Sequence, residues 1–335
     1  MPQLTTADKL IDRFDRRISY LRLSITDRCD FRCQYCMAET MTFLPRSEVL
    51  TIEELLRTAR LFTELGVRKI RVTGGEPLIR KGADELFTGL GQLPGLETLA
   101  LTTNGSHLSQ QAPALKMAGV HSINISLDSL DAARFRDITR IGELAGVLEG
   151  IETAVAVGFD RIRLNAVILD GLNRDEVIPL TEFAIATGVD IAFIEEMPLG
   201  QVTVGGKPLS YVSSDALLHE LAAHFNLEPI TADPTAGPAR DYQVTGTATR
   251  VGFISPHSHN FCGDCNRLRV SAEGRLLMCL GNEDSIDLRS LLREGRPDEE
   301  IKQAIIDSLT IKPERHVFDH PDEPQIVRFM NATGG

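Results

Sequence analysis

The chain has 335 residues, of which 42% are hydrophobic and 24% charged, and its formal net charge is −12. That acidic balance argues against a surface built for nucleic acid or anionic lipid, so any anionic ligand must be met by cations gathered in one place. No apolar run approaches the ~20 residues of a membrane span. The first twenty residues carry Asp8, Lys9, Asp12, Arg13, Asp15, Arg16 and Arg17 where a secretory signal would have an apolar core, so a cytoplasmic protein is expected. Six cysteines fall in two groups of three, which without an export signal points to metal chemistry ahead of disulfides.

From residue 19 to 197, β-branched runs alternate with helical patterns, the signature of parallel βα units. Strands are expected at 20–25, 68–73, 98–103, 121–127, 161–168 and 190–196. The first helix is marked by a capping box at Thr51 and Glu54, by Ile52, Leu55, Leu56, Ala59 and Leu61 at helical spacing, and by Gly66 after its end. Parallel strands covered on both faces are usually apolar throughout. Here Arg22 and Ser24 alternate with Leu21 and Leu23, and Lys69, Arg71 and Thr73 with Ile70 and Val72. Asn124, Ser126 and Asp128 continue the pattern, as do Arg161, Arg163 and Asn165. A buried cation without an anion is costly, so one cationic strand face implies a cavity holding water or an anionic ligand. The pattern therefore favours an α/β fold, a partial (β/α)6 TIM-like barrel, over a doubly wound sheet. An exposed sheet with its polar face in solvent is the alternative, and the helix after each strand weighs against it.

The βα rhythm stops near residue 200, where Gly205, Gly206, Pro208, Pro234, Gly237 and Pro238 accumulate. This places a barrel at 1–200 and a C-terminal extension at 201–335. Residues 250–255, 267–272 and 275–280, the last two joined at Glu273-Gly274, suggest short antiparallel structure. Helices are expected at 288–292 and 301–309, then an extended tail from Pro321.

Cys29, Cys33 and Cys36 form C-x3-C-x2-C on the loop after the first strand. A 4Fe-4S cluster normally takes one thiolate per iron, so three close cysteines leave one iron open to a ligand. Zinc is the competing reading, but no His or Cys follows Cys36 at a zinc-like interval. Cys262, Cys265 and Cys279 form C-x2-C-x13-C, again three ligands. A second open cluster is the simplest account, with zinc completed by His257 or His259 as the alternative. Gly74-Gly75-Glu76-Pro77 after the second strand is either an ordinary turn or a ligand loop at the strand end where barrel sites gather.

The run CDFRCQYC resembles the cluster motif of the radical S-adenosylmethionine (SAM) superfamily, and GGEP resembles its GGE motif. With TTNG, SLDS, CGDCNRLR and the terminal Gly334-Gly335, nearly the whole chain resembles the molybdenum cofactor biosynthesis protein A family, the GTP 3',8-cyclases. The resemblance implies two 4Fe-4S clusters held by Cys29, Cys33 and Cys36 and by Cys262, Cys265 and Cys279. It implies SAM at Tyr35, Gly75, Ser126 and Met197. It implies GTP at Arg22, Arg71, Thr102, Arg163, Arg267, Leu268 and Arg269, with Lys69 also in reach of the triphosphate. No catalytic side chain is implied, since cluster and SAM generate the radical. Further implications are a homodimer, a low-potential electron donor, product transfer to cyclic pyranopterin monophosphate synthase, and a Gly-Gly tail entering the active site. Two positions depart from the family pattern: Arg163 stands where many members have Lys, and Ala192 where Arg is expected. The second departure should weaken triphosphate binding unless Arg161 compensates. A peptide-modifying radical SAM enzyme is the nearest enzymatic alternative. A zinc-stabilised protein or a ferredoxin-like electron carrier is the non-catalytic one.

Overall fold

The computed structural model describes residues 10–199, 203–204, 207–208, 212–231, 237–316, 318, 326 and 328–334. Alternation within the strands decides the layering. In β1 (Tyr20–Ser24), Leu21 and Leu23 are fully buried in the core, while Tyr20 and Arg22 line a cavity on the opposite face. The following elements are α1 (Ile52–Glu64), β2 (Lys69–Thr73), α2 (Ala83–Gly91), β3 (Thr98–Thr103), α3 (Leu108–Met117) and β4 (Ser122–Ser126). After these come α4 (Ala132–Thr139), α5 (Leu144–Val157), β5 (Arg161–Ile168), α6 (Val177–Thr187) and β6 (Asp190–Glu195). The six strands pair in parallel and in chain order. The expected capping box closes the start of α1, with the Thr51 hydroxyl accepting from Glu54 N and the Glu54 carboxylate accepting from Thr51 N. This is an open α/β barrel whose outer strand face packs against helices and whose inner face carries the polar residues.

Beyond it lie a hairpin of β7 (Thr203–Val204) and β8 (Lys207–Pro208), then α7 (Ser214–Ala222), β9 (Leu227–Pro229), β10 (Arg240–Val244) and β11 (Arg250–Ile254). The chain continues through β12 (Arg267–Val270), β13 (Arg275–Leu277), β14 (Ser285–Asp287), α8 (Leu288–Arg293), α9 (Asp298–Ser308) and α10 (Met330–Thr333). Among the described residues the main sheet has twelve strands in the order β14-β13-β12-β1-β2-β3-β4-β5-β6-β11-β10-β9. The β12–β13 hairpin is antiparallel, as its Glu273-Gly274 turn suggested. The antiparallel expectation holds on one side of β11 and β12, which pair antiparallel with β10 and β13, while on the other side β11 runs parallel to β6 and β12 parallel to β1. The parallel partner of each is a barrel edge, and local turn signals carry no information about that pairing. No helix among the described residues is long and apolar enough to cross a membrane.

The N-terminal arm ties the two ends of the chain together. Asp12 and Arg16 form a buried ion pair at 2.7 Å, and the Arg16 guanidinium also donates to the carbonyls of Cys262, Pro313 and Glu314 at 2.7–2.8 Å. Asp12→Ala leaves that guanidinium without its counter-charge, at a cost of about 3–5 kcal/mol. The variant is expected to unfold at lower temperature in calorimetry and to expose Cys262 to thiol reagents faster; an unchanged melting profile would contradict the role assigned to the pair.

Candidate active site

The loop after β1 carries Cys29, Cys33 and Cys36, which share a cavity at the C-terminal end of the strands with Tyr35, Gly75, Ser126 and Met197. Backbone hydrogen bonds hold this loop against the one after β2, with Gly75 N donating to Thr26 O at 2.7 Å and Glu76 N to Arg28 O at 2.8 Å. Only glycine fits at residue 75, because a Cβ there would run into the Arg28 carbonyl. Glu76 is fully buried and accepts from Leu78 N, Thr103 Oγ1 and Asn104 N, so it fastens the β2 loop to the end of β3. Burial pushes its carboxyl up to about 7 in spite of those three donors. The Tyr35 hydroxyl donates to Asp128 Oδ2 at 2.8 Å, which sets the ring beside the last cysteine of the motif. Burial raises all three thiols, Cys36 to about 12. Metal ligation requires the thiolate, so these thiols keep their protons at neutral pH until a metal displaces them and the protons are released.

A second cavity opens deeper in the barrel and contains the other expected residues. Arg22, Arg71, Thr102, Arg163, Arg267 and Arg269 line it, joined by Cys262, Cys265 and Cys279. Lys69 and Arg161 also line it. Leu268 lies on β12 between two of these arginines with its side chain in the apolar core, so only its backbone is near the cavity. Thr102, Asn165, Ile194, Met197 and Met330 line both cavities, which therefore adjoin within the barrel. Arg71 donates to the Tyr20 hydroxyl at 2.8 Å and to Leu101 O at 2.8 Å. Burial alone would raise the Tyr20 phenol, but Arg71, Arg22 and Lys69 outweigh it and bring the group down to about 7. Burial lowers Arg22 to about 10 and takes Arg269 well below the usual guanidinium range, with neighbouring arginines adding to both shifts. A cavity that depresses its own cations favours an anionic ligand.

The C-terminus enters at the junction of the two cavities. Asn331 Nδ2 donates to Asp27 O at 2.8 Å, and Arg269 Nη1 donates to Gly334 O at 2.8 Å. Gly334 has φ +74°, and a Cβ on it would run into Thr73, so both conformation and space require glycine. Gly335 lies outside the described residues, as do residues 321–325 and 327 of the tail from Pro321.

Among the described residues, no three His, Cys, Asp or Glu side chains close on a single-ion site. His259 instead pairs with Asp215 at 2.7 Å, and His257 Nε2 meets Glu196 O at 2.7 Å. Several site residues carry no motif. Tyr20 is legible only through its alternation with Arg22. Lys312 is fully buried, and its ammonium donates to Met278 O at 2.7 Å, to Arg267 O at 3.1 Å and to Cys265 Sγ at 3.7 Å. Burial would raise the Cys265 thiol, but Arg267 and Lys312 overcome it and lower the group to about 7. The thiols of Cys262 and Cys279 are raised by burial.

An open parallel barrel with a three-cysteine loop after its first strand and a glycine-lined cavity beside it defines a radical SAM protein, and residues 23–184 match the radical SAM superfamily. Residues 189–318 match the family described as Molybdenum Cofactor Synthesis C. The chain is 53% identical to a GTP 3',8-cyclase of Marinobacter nauticus over 100% of both chains. It is 52% identical to that of Saccharophagus degradans, covering 97% of this chain and 98% of the relative. It is 53% identical to GTP 3',8-cyclase 2 of Pseudomonas aeruginosa, covering 98% and 99%. The crystal structure of Streptococcus suis SuiB superposes with a TM-score of 0.64 at 15% identity, covering 93% of this chain and 76% of that one, a likeness of fold alone. The chain belongs to the GTP 3',8-cyclase family. Its superfamily works with SAM and a 4Fe-4S cluster, and the first cavity fits both, with three free thiols on one rim and a side-chain-free approach at Gly75.

Gly75→Ala tests that fit. The added methyl meets backbone that cannot swing aside, so the loop bearing Cys29 must shift. Reconstituted protein is expected to lose most of its SAM affinity in equilibrium titration while Cys262, Cys265 and Cys279 stay in place; wild-type affinity would show that the loop does not approach the ligand.

Proposed function

We propose that the chain is a GTP 3',8-cyclase in which SAM occupies the cavity beside Cys29, Cys33 and Cys36 and GTP the adjoining arginine-lined cavity. The single observation carrying this reading is the junction of the two cavities at Thr102, Asn165, Ile194, Met197 and Met330. A reactive species formed in one reaches a molecule held in the other without passing through solvent. Bound there, the cluster and SAM would supply a 5'-deoxyadenosyl radical by one-electron reductive cleavage of SAM; loss of the ribose 3'-hydrogen to that radical, coupling of C3' to guanine C8, and uptake of one electron and one proton would then give 3',8-cyclo-7,8-dihydro-GTP, the first step of molybdenum cofactor biosynthesis. The side chains position and shield. Tyr35, Gly75, Ser126 and Met197 hold SAM; Arg22, Arg71, Thr102, Arg163, Arg267 and Arg269, with the backbone at Leu268, hold GTP; Met330 stands at the junction and Gly334 accepts from Arg269.

A second 4Fe-4S cluster on Cys262, Cys265 and Cys279, with its open iron toward the guanine, belongs to the same proposal, and Cys265 beside Arg267 and Lys312 supports it. So do a division of the chemistry near residue 200, a cytoplasmic homodimer, a low-potential electron donor, and passage of the product to cyclic pyranopterin monophosphate synthase. The structure also favours compensation at the Ala192 departure, since Arg161 and Arg163 both line the second cavity.

Anaerobic reconstitution should give about eight irons per chain in two clusters. Addition of SAM, GTP and a strong reductant should yield 5'-deoxyadenosine together with the cyclised nucleotide; SAM cleavage without GTP consumption would defeat the substrate assignment. The position of the triphosphate has its own signature. Phosphate beside Arg22, Arg71 and Lys69 offsets the cations that lower Tyr20, so GTP should move the titration of that phenol upward from about 7 toward the ordinary value of about 10. Ultraviolet difference spectra read this directly, and a midpoint indifferent to GTP would place the phosphates elsewhere.

A further inference from the structure

The second cavity has an uneven charge distribution. At one end Arg22, Arg267 and Arg269 crowd together, and burial together with the neighbouring arginines lowers Arg22 and Arg269. At the other, Arg161 and Arg163 meet two carboxylates that the sequence reading assigned to nothing. Asp190 accepts from Arg161 Nε at 2.5 Å, and Asp241 accepts from Arg163 Nη2 with both oxygens at 2.7 Å and from Arg161 Nη2 at 3.2 Å.

Asp241 reaches these arginines through a gap made by a glycine. It lies on β10 directly opposite Gly252 of β11, and a Cβ on Gly252 would collide with Asp241 Oδ1. Gly252 in turn pairs with Ala192 of β6, and Ala192 with Asn165 of β5. Two small residues in a row thus leave room for a carboxylate from outside the barrel to cross to Arg163. Arg161 and Arg163 line the cavity and Asp241 does not, so the guanidinium groups stand between the carboxylate and the cavity. Arg163 is only 8% exposed, and its Nε is buried with no hydrogen-bond partner among the described residues. A buried guanidinium donor left without an acceptor is destabilising, and here it sits on a side chain facing a ligand cavity.

We infer that Asp241 is a positioning residue for a polyphosphate: it grips Arg163 from behind by Nη2 and holds the rest of the guanidinium toward a phosphate oxygen of the nucleotide. This rests on the assignment of the second cavity to GTP. An arginine held by a carboxylate on one side is pre-organised to hydrogen-bond on the other, which spares the ligand the ordering of a long side chain. The arrangement also gives a role to the two family departures, because a guanidinium at 163 offers donors on two sides and an alanine at 192 keeps the passage clear for Asp241.

The test compares Asp241→Asn and Gly252→Ala in the full-length, cluster-loaded protein, measuring GTP affinity by titration, KM and kcat under anaerobic turnover, and inhibition by inorganic tripolyphosphate. Bulk electrostatics alone predicts that losing a negative charge at Asp241 tightens anion binding. Positioning predicts the opposite: GTP and tripolyphosphate both weaken by about tenfold, and the rise in KM exceeds any fall in kcat. Gly252→Ala keeps the charge and displaces only the mobile end of the Asp241 side chain, so it gives the same result even where Asp241→Asn is poorly folded. Unchanged or tighter binding of both ligands would overturn the inference, as would a loss of kcat at unchanged affinity. Failure of the unaltered protein to bind GTP at all would instead remove the assignment of the cavity, and the inference with it.

Discussion

Burying guanidinium groups is the constraint around which this molecule is organised. Arg71, Arg163 and Arg269 sit on the inner face of the barrel with less than a tenth of their surface exposed. A cation taken out of water must be met by hydrogen bonds or by charge. Each of the three is met from a different part of the chain: Arg71 by Tyr20 and the Leu101 carbonyl, Arg163 by Asp241 of β10, and Arg269 by the carbonyl of Gly334. The C-terminal extension therefore completes the barrel's interior, and the cavity is stiff before any ligand arrives. In chemistry that depends on bringing one atom of a ligand within reach of another, stiffness of this kind does more than any acid or base.

The two cysteine triads live in contrasting surroundings. Carboxylates of Asp30, Glu76 and Asp128 add to burial in raising the first group. Around Cys265 the neighbours are Arg267, Lys312 and Arg16, all cationic. The same ligand type is thus held in an acidic setting at the mouth of the barrel and a basic one within it.

The six barrel strands were legible to within a residue or two because their alternation obeys a strong rule: what packs on helices is apolar, and what faces the cavity is not. Arg22, Arg71 and Arg163 were visible for that reason, whereas Arg267, Leu268 and Arg269 came only from the family resemblance; in β12 the same rule sends Leu268 to the core. Asp241, Lys312 and Arg16 were not visible. Arg163 lies 78 residues from Asp241, Lys312 lies 47 from Cys265, and Arg16 lies 246 from Cys262. Single charged residues in turn-rich sequence give no sign of such partners. The short strands β9, β10 and β14 escaped notice for a related reason, since strands of three to five half-exposed residues lack a period long enough to stand out.

The placement of the C-terminal strands on both flanks of the barrel bears on how the chain matures. Leu21 of β1 pairs with Leu268 of β12, and Ile191 of β6 with Val251 of β11. Until residue 254 has been synthesised, the growing chain has two naked sheet edges, and until residue 270 it keeps one, whose amides and carbonyls have no partner but water or another chain. Such long-range pairing is slow to form and prone to association while it waits. A fragment ending near residue 200 would keep both edges open, so the barrel and the strands that follow it are a single unit for folding, and the thiols of the first loop must wait for those strands before they stand in a finished site.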